Sequence, residues 1–131
     1  MHVSTTDPDL ATIADRYFAA WRKRDADAIV ALHTADTQFW IHLGTEPVHG
    51  RDAVRDTIAT LFEQFPNFGF TVHRVVFADG HWALDWTATF DAPDGEKHGF
   101  DCLDLVEVTS EGLVARKDTF IDFIQMQEQT K

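Results

Sequence analysis

Apolar positions recur at helical spacing through the first half of the chain and at a spacing of two through most of the second. Leu10, Ile13, Tyr17, Phe18 and Trp21 fall on one side of a helix. Asp7 followed by Pro8 predicts its start, a carboxylate N-cap with proline at the first helical position. Asp25 can cap a second, short helix carrying Ile29 and Leu32. Residues 37–43, TQFWIHL, predict a strand. Gly50 precedes a third helix with Val54, Ile58, Leu61, Phe62 and Phe65 on one stripe and Arg51, Asp52, Arg55 and Asp56 outside it; Pro66 stops it.

From there the period becomes two. FGFTVHRVVF runs to the hairpin dipeptide Asp79-Gly80, HWALDWTATF to Pro93-Asp94-Gly95, and HGFDCLDLVEV to Ser110-Glu111-Gly112, and LVARKDTFIDFI closes the series. Four strands joined by three tight turns predict an antiparallel meander. Helices first and strands later argue an α+β fold, with helices covering one face of a curved sheet.

A length of 131 residues fits one domain over 1–131, and a chain of that size encloses a real core. Lys and Arg total 11 against 22 Asp and Glu, a net charge of −11. The longest run of cations, Arg22-Lys23-Arg24, is followed by Asp25 and Asp27. Nucleic acid and anionic membrane surfaces are therefore excluded as partners, since both need a basic face. No apolar run is long enough to cross a bilayer, and MHVSTTDPDL has neither a basic nor an apolar leader segment. Cys102 is the sole cysteine, so no disulfide can form within the chain. The expectation is a cytoplasmic protein.

Three segments carry a resemblance to a known family: ADRYFAAWRKRDADAIVALHTADTQFW, GTEPVHGRDAVRDTI, and CLDLVEV followed by SEGLVARKDTF. Over about residues 8–124 the chain resembles the superfamily of nuclear transport factor 2, the SnoaL-like polyketide cyclases and the ketosteroid isomerases. The resemblance implies a cone in which three N-terminal helices close a strongly curved, mostly antiparallel sheet over a blind pocket. It implies a homodimer formed through the outer sheet face; the aromatic residues suit a small apolar ligand, and no cofactor is expected. In the isomerases a tyrosine of the first helix and a protonated aspartic acid of a later strand form an oxyanion hole. The resemblance places Tyr17 and Asp104 in those roles. It places Ile41 where the isomerases carry their general base, with His42 one residue away, on the opposite strand face.

The residues themselves leave alternatives open. Asp104 sits among Cys102, Leu103, Leu105 and Val106, where an ionised carboxylate is costly; it is either paired, protonated or turned to solvent. Tyr17 is either a core residue or a donor to a ligand oxygen. Asp118 resembles a water-activating aspartate of limonene-epoxide-hydrolase-like enzymes; facing the pocket, it would have Phe120 beside it and Lys117 and Thr119 on the other face. That chemistry also needs an Arg and a second Asp on a neighbouring strand, where the chain offers Asp85 with Ala83 two residues earlier. His42 could move a proton near neutrality, or bond to backbone at a strand end. His33, His49, His73, His81 and His98 show no metal-ligand spacing, so no metal is expected, and Cys102 reads as a small core residue.

Trp21, Trp40, Phe62 and Phe120 could line a pocket. Trp82, Leu84 and Trp86 share one strand face and could anchor a dimer, or pack under the helices of their own subunit. The reading is an isomerase- or cyclase-like enzyme for an apolar carbonyl compound, with a non-catalytic ligand-binding or dimerisation module, or an epoxide hydrolase, as alternatives.

Overall fold

The computed structural model describes residues 9–130. Its elements run α1 (Leu10–Arg22), α2 (Ala26–Val30), β1 (His33–Ile41), β2 (Val48–His49), α3 (Arg51–Gln64), β3 (Gly69–Ala78), β4 (His81–Asp91), β5 (Lys97–Val108), β6 (Val114–Ile121) and α4 (Phe123–Gln129). The six strands form one curved, unclosed sheet in the order β2-β1-β6-β5-β4-β3. β3 through β6 make the antiparallel meander, β1 joins β6 in parallel, and the short β2 hangs on β1. The fold is α+β, as the order of periods predicts.

The starts of the helices follow local chemistry. The predicted cap at Asp7 and Pro8 lies outside the described residues; within them Asp9 caps α1, its carboxylate accepting from Ala11 N at 3.3 Å. Asp25 caps α2 as expected, accepting from Ala28 N at 3.1 Å. α3 begins after Gly50, whose φ of 88° suits a residue without a Cβ, and stops before Phe65-Pro66.

Three boundaries differ from the pattern reading. β1 begins at His33 rather than residue 37 and ends at Ile41, leaving His42 in the connection that follows. The two-residue β2 is too short to carry a period. The last strand stops at Ile121, because Asp122 caps a further helix, accepting from Gln125 N at 3.0 Å.

The inner sheet face is covered by helices. Along β4, Trp82, Leu84 and Trp86 are 1%, 4% and 8% exposed. They pack beneath the helices, with Trp82 against Tyr17 and Phe18 of α1. This corrects their reading as outward dimer anchors: Trp82 is covered by α1, and Leu84 and Trp86 face the interior, Trp86 edge-on to Phe68 and Phe70. Along β5, Phe100, Cys102, Asp104, Val106 and Val108 point inward, while Leu103 and Leu105 stand outside, each 47% exposed. Among the described residues, no helix is long and apolar enough to cross a membrane.

Candidate functional site

A cavity of about 600 Å³ lies between the helices and the concave sheet face. Tyr17, Trp21 and Phe39 form part of its wall, Ile41 and Ile121 contribute apolar surface from the sheet, and Met126 of α4 reaches it from the C-terminal side. Its strongly polar inner groups are Asp104 on β5 and Lys117 and Thr119 on β6. Asp104 Oδ2 accepts from Lys117 Nζ at 2.9 Å and Asp104 Oδ1 accepts from Thr119 Oγ1 at 2.8 Å. Both charged residues are buried. Lys117 Nζ also lies over the rings of Trp21, Tyr17 and Phe39, 4.7, 5.3 and 5.9 Å from their centroids. Burial, the largest single influence, lowers the lysine pKa, but the charge and hydrogen bond of Asp104 together with Tyr17 and Cys102 more than offset it and the pKa ends above its ordinary value.

Beside this pair runs a second polar chain. Tyr17 Oη is 2.8 Å from His33 Nε2, and His33 Nδ1 is 2.8 Å from Thr37 Oγ1. His33 and Thr37 are fully buried. Burial, with Lys117 and Arg51 adding to it, lowers the His33 pKa to about 3, so the imidazole is neutral at pH 7. Burial raises the Tyr17 pKa against the opposing pull of Lys117, and the phenol keeps its proton.

The structure brings Tyr17 and Asp104 to the same cavity, but not into the arrangement the resemblance implies. Tyr17 bonds to a histidine. Asp104 accepts in both of its hydrogen bonds, so here it is not a donor beside the phenol. Trp21 lines the cavity, while Phe62 stands behind it, edge-on at 5.6 Å.

Asp118, His42, Trp40 and Phe120 are corrected outright, for they lie on the convex face. Asp118 Oδ1 is 2.8 Å from His42 Nε2 and its Oδ2 accepts from Arg116 Nε at 2.7 Å. The His42 ring is stacked between Trp40 and Phe120, each 4.1 Å away. Burial would raise the Asp118 pKa, but bonds from Arg116 and His42 more than reverse it and hold it below the usual carboxylate range. Asp85 faces the same way and pairs with Arg74 at 3.2 Å, so Asp85 and Asp118 do not converge on one water in the cavity.

One register shift explains the exchange of faces. Extended without a shift, the Val108–Val114 pairing would set Asp118 opposite Asp104. The bulge between β5 and β6 instead pairs Asp104 with Thr119, which turns Lys117 and Thr119 inward. Lys117 and Thr119 are thus cavity residues that the sequence reading missed, as it missed His33 of β1, which holds the Tyr17 hydroxyl from behind the cavity wall. The one available signal for Lys117 was the unpaired Asp104, which needed a cation from a neighbouring strand. Among the described residues, no group of three or more His, Cys, Asp or Glu gathers as a metal site. Cys102 lies in the cavity wall, its thiol pKa pushed up by burial.

Helices closed over a curved sheet thus enclose a largely apolar cavity with a buried Asp104–Lys117 pair in its wall. The chain belongs to the SnoaL-like domain family, whose pattern matches residues 14–117. Its fold is similar to that of a SnoaL-like polyketide cyclase candidate from Jannaschia sp. CCS1, with a TM-score of 0.81 and 19% identity over 98% of this chain and 96% of that one. It is also similar to the epoxide hydrolase/cyclase-like enzyme SalBIII of pyran ring formation in the polyether salinomycin (TM-score 0.78, 18% identity, 88% and 92% covered). The BvnE pinacolase from Penicillium brevicompactum is comparably close (TM-score 0.79, 18% identity, 91% and 89% covered). No curated protein matches the sequence. At these identities the solved structures speak for the fold, and the chemistry rests on the residues present.

Proposed function

We propose that this protein is an isomerase- or cyclase-like enzyme that takes a small apolar carbonyl compound into the cavity and moves a proton on it with Asp104. The observation that carries this reading is the Asp104 carboxylate, 1% exposed at the inner end of a mostly apolar cavity of about 600 Å³. Lys117 and Thr119 hold its two oxygens in place beside the cavity, so a substrate seated there meets a positioned carboxylate. The strand position that the resemblance assigns to a general base holds Ile41, and Asp104 takes the proton-accepting task in its place. Tyr17 shapes the wall, its hydroxyl engaged by His33. No cofactor is needed for such a transfer.

The test is turnover of a panel of β,γ-unsaturated ketones and of ring-closing keto compounds by wild type and Asp104→Asn. Turnover by wild type that falls by about 10²-fold or more in Asp104→Asn supports the reading. Binding without turnover on every member would make the protein a ligand-binding module. The hydrolase reading through Asp118 and Asp85 has no support from the placement of those carboxylates.

The exposed outer face, with Leu103, Leu105 and Phe120 at 47%, 47% and 44%, supports a homodimer through the sheet.

A further inference from the structure

The buried lysine has more donors than the fold uses. Lys117 Nζ carries three N–H bonds, and among the described residues one acceptor, Asp104 Oδ2, is hydrogen-bonded to it. Its other near neighbours are the faces of Tyr17, Trp21 and Phe39. Aromatic faces attract a cation but offer no lone pair. All four residues line the cavity, and Lys117 is 6% exposed. A ligand oxygen entering there meets an ammonium with unused donors in surroundings where each hydrogen bond counts for more than in water.

We propose that Lys117 is a catalytic residue that binds the substrate oxygen and becomes the counterion of its enolate as Asp104 takes the carbon-bound proton. The inference rests on the function proposed above and deepens it. In the step, the C–H bond beside the carbonyl breaks and its electron pair moves into the carbonyl system, giving an enolate oxygen. The proton forms an O–H bond on Asp104. Before the step the site holds one carboxylate and one ammonium; after it, one enolate, one ammonium and a neutral carboxylic acid. The net charge of the buried site never changes, and the cation merely exchanges one anion for another. Return of the proton to a different carbon completes an isomerisation and restores the Asp104–Lys117 pair. Thr119, donating to Asp104 Oδ1 at 2.8 Å, holds the carboxylate in place through the exchange.

Naphthols of graded acidity test this without knowledge of the substrate, because ionised and neutral forms differ in absorbance and fluorescence. In wild type, Asp104 takes the naphthol proton and the bound probe carries the naphtholate spectrum, more so the more acidic the probe. Lys117→Met binds the neutral naphthol, with the ionised-to-neutral ratio reduced about 10- to 1,000-fold. Asp104→Asn keeps the ammonium without its native counterion and captures naphtholate from solution. Because either single change leaves a lone buried charge, the double variant Asp104→Asn/Lys117→Met serves as the folded control and binds the neutral probe only. A probe bound neutral by wild type, or equally ionised by Lys117→Met, overturns the role of Lys117 while leaving the pocket reading intact. Absence of naphthol binding by wild type overturns the pocket reading, and this inference with it.

Discussion

Lys117 Nζ stands 2.9 Å from Asp104 Oδ2, yet the two residues are not cross-strand partners: Asp104 lies opposite Thr119, and Lys117 opposite Val106. The pair is diagonal, with the lysine stem crossing apolar surface to reach the carboxylate. Removing one partner of a buried pair leaves a charge without compensation and costs about 3–5 kcal/mol, whereas replacing both is often close to neutral. Lys117→Met and Asp104→Asn should therefore each be strongly destabilising, and the double variant should recover most of the loss. Urea denaturation of the four proteins gives the coupling energy. Additive losses would mean that the two charges do not depend on each other.

His33 should make the fold sensitive to acid. Its folded pKa, about 3, lies below the ordinary value of 6.5, so between those values the unfolded chain binds a proton that the folded chain refuses. The stabilising contribution is complete above 6.5 and is lost as pH falls toward 3. At roughly 1.4 kcal/mol per unit, the full loss is on the order of 5 kcal/mol, and about 3 kcal/mol of it is gone at pH 4. His33→Gln removes this component, so the stability difference between pH 7 and pH 4 should shrink by that amount even though the variant is less stable at pH 7. An unchanged difference would show that His33 is not held neutral by burial.

The α+β class, the three leading helices and the four-strand meander were legible in the sequence, because each depends on local spacing, whereas Tyr17 and Asp104 were singled out by the family resemblance. Tyr17 and Trp21 lie one helical turn apart on the apolar stripe of α1, but in β5 the outward residues Leu103 and Leu105 are as apolar as the inward Cys102 and Val106, so polarity alone does not tell the two faces apart. The faces of β6 were not legible. They depend on a one-residue bulge, which neither turn chemistry nor periodicity records, and that bulge decides whether Lys117 or Asp118 enters the cavity. His33 escaped for a related reason: its partner Tyr17 is sixteen positions away on a helix, and no local pattern announces the bond. The final helix was read as strand because FI after Asp122 continues an apolar run, while the cap that ends the strand is a single side-chain bond.

His42 and Asp118 offer a clean contrast with the cavity residues. They hold each other at 2.8 Å on the convex side of the sheet. His42→Ala and Asp118→Asn should therefore leave naphthol affinity within about twofold of wild type, as expected for sites with no shared partner. Asp118→Asn should nevertheless lower stability by about 1–3 kcal/mol, since it weakens bonds from both Arg116 and His42. Titration of the probe and urea denaturation on the same samples separate the two effects. A large drop in probe affinity with Asp118→Asn would show that this carboxylate communicates with the cavity.

The convex face should hold two subunits together. Leu103 lies opposite Phe120 on the neighbouring strand, and Leu105 opposite Asp118. Phe120 extends this apolar surface through the stacked His42 and Trp40 rings. The charges nearby are already paired, Arg116 with Asp118 and Arg74 with Asp85, so a second copy can cover the face without stranding a lone ion. Wild type is expected to sediment at twice the chain mass. Leu105→Lys adds a like charge to both sides of a symmetric contact, because a two-fold interface presents the same patch twice. It should shift the protein to monomer while naphthol binding in the cavity persists. Sedimentation equilibrium over a range of protein concentrations checks this, and a wild-type protein that stays monomeric throughout would leave the leucines and Phe120 as surface residues with no partner.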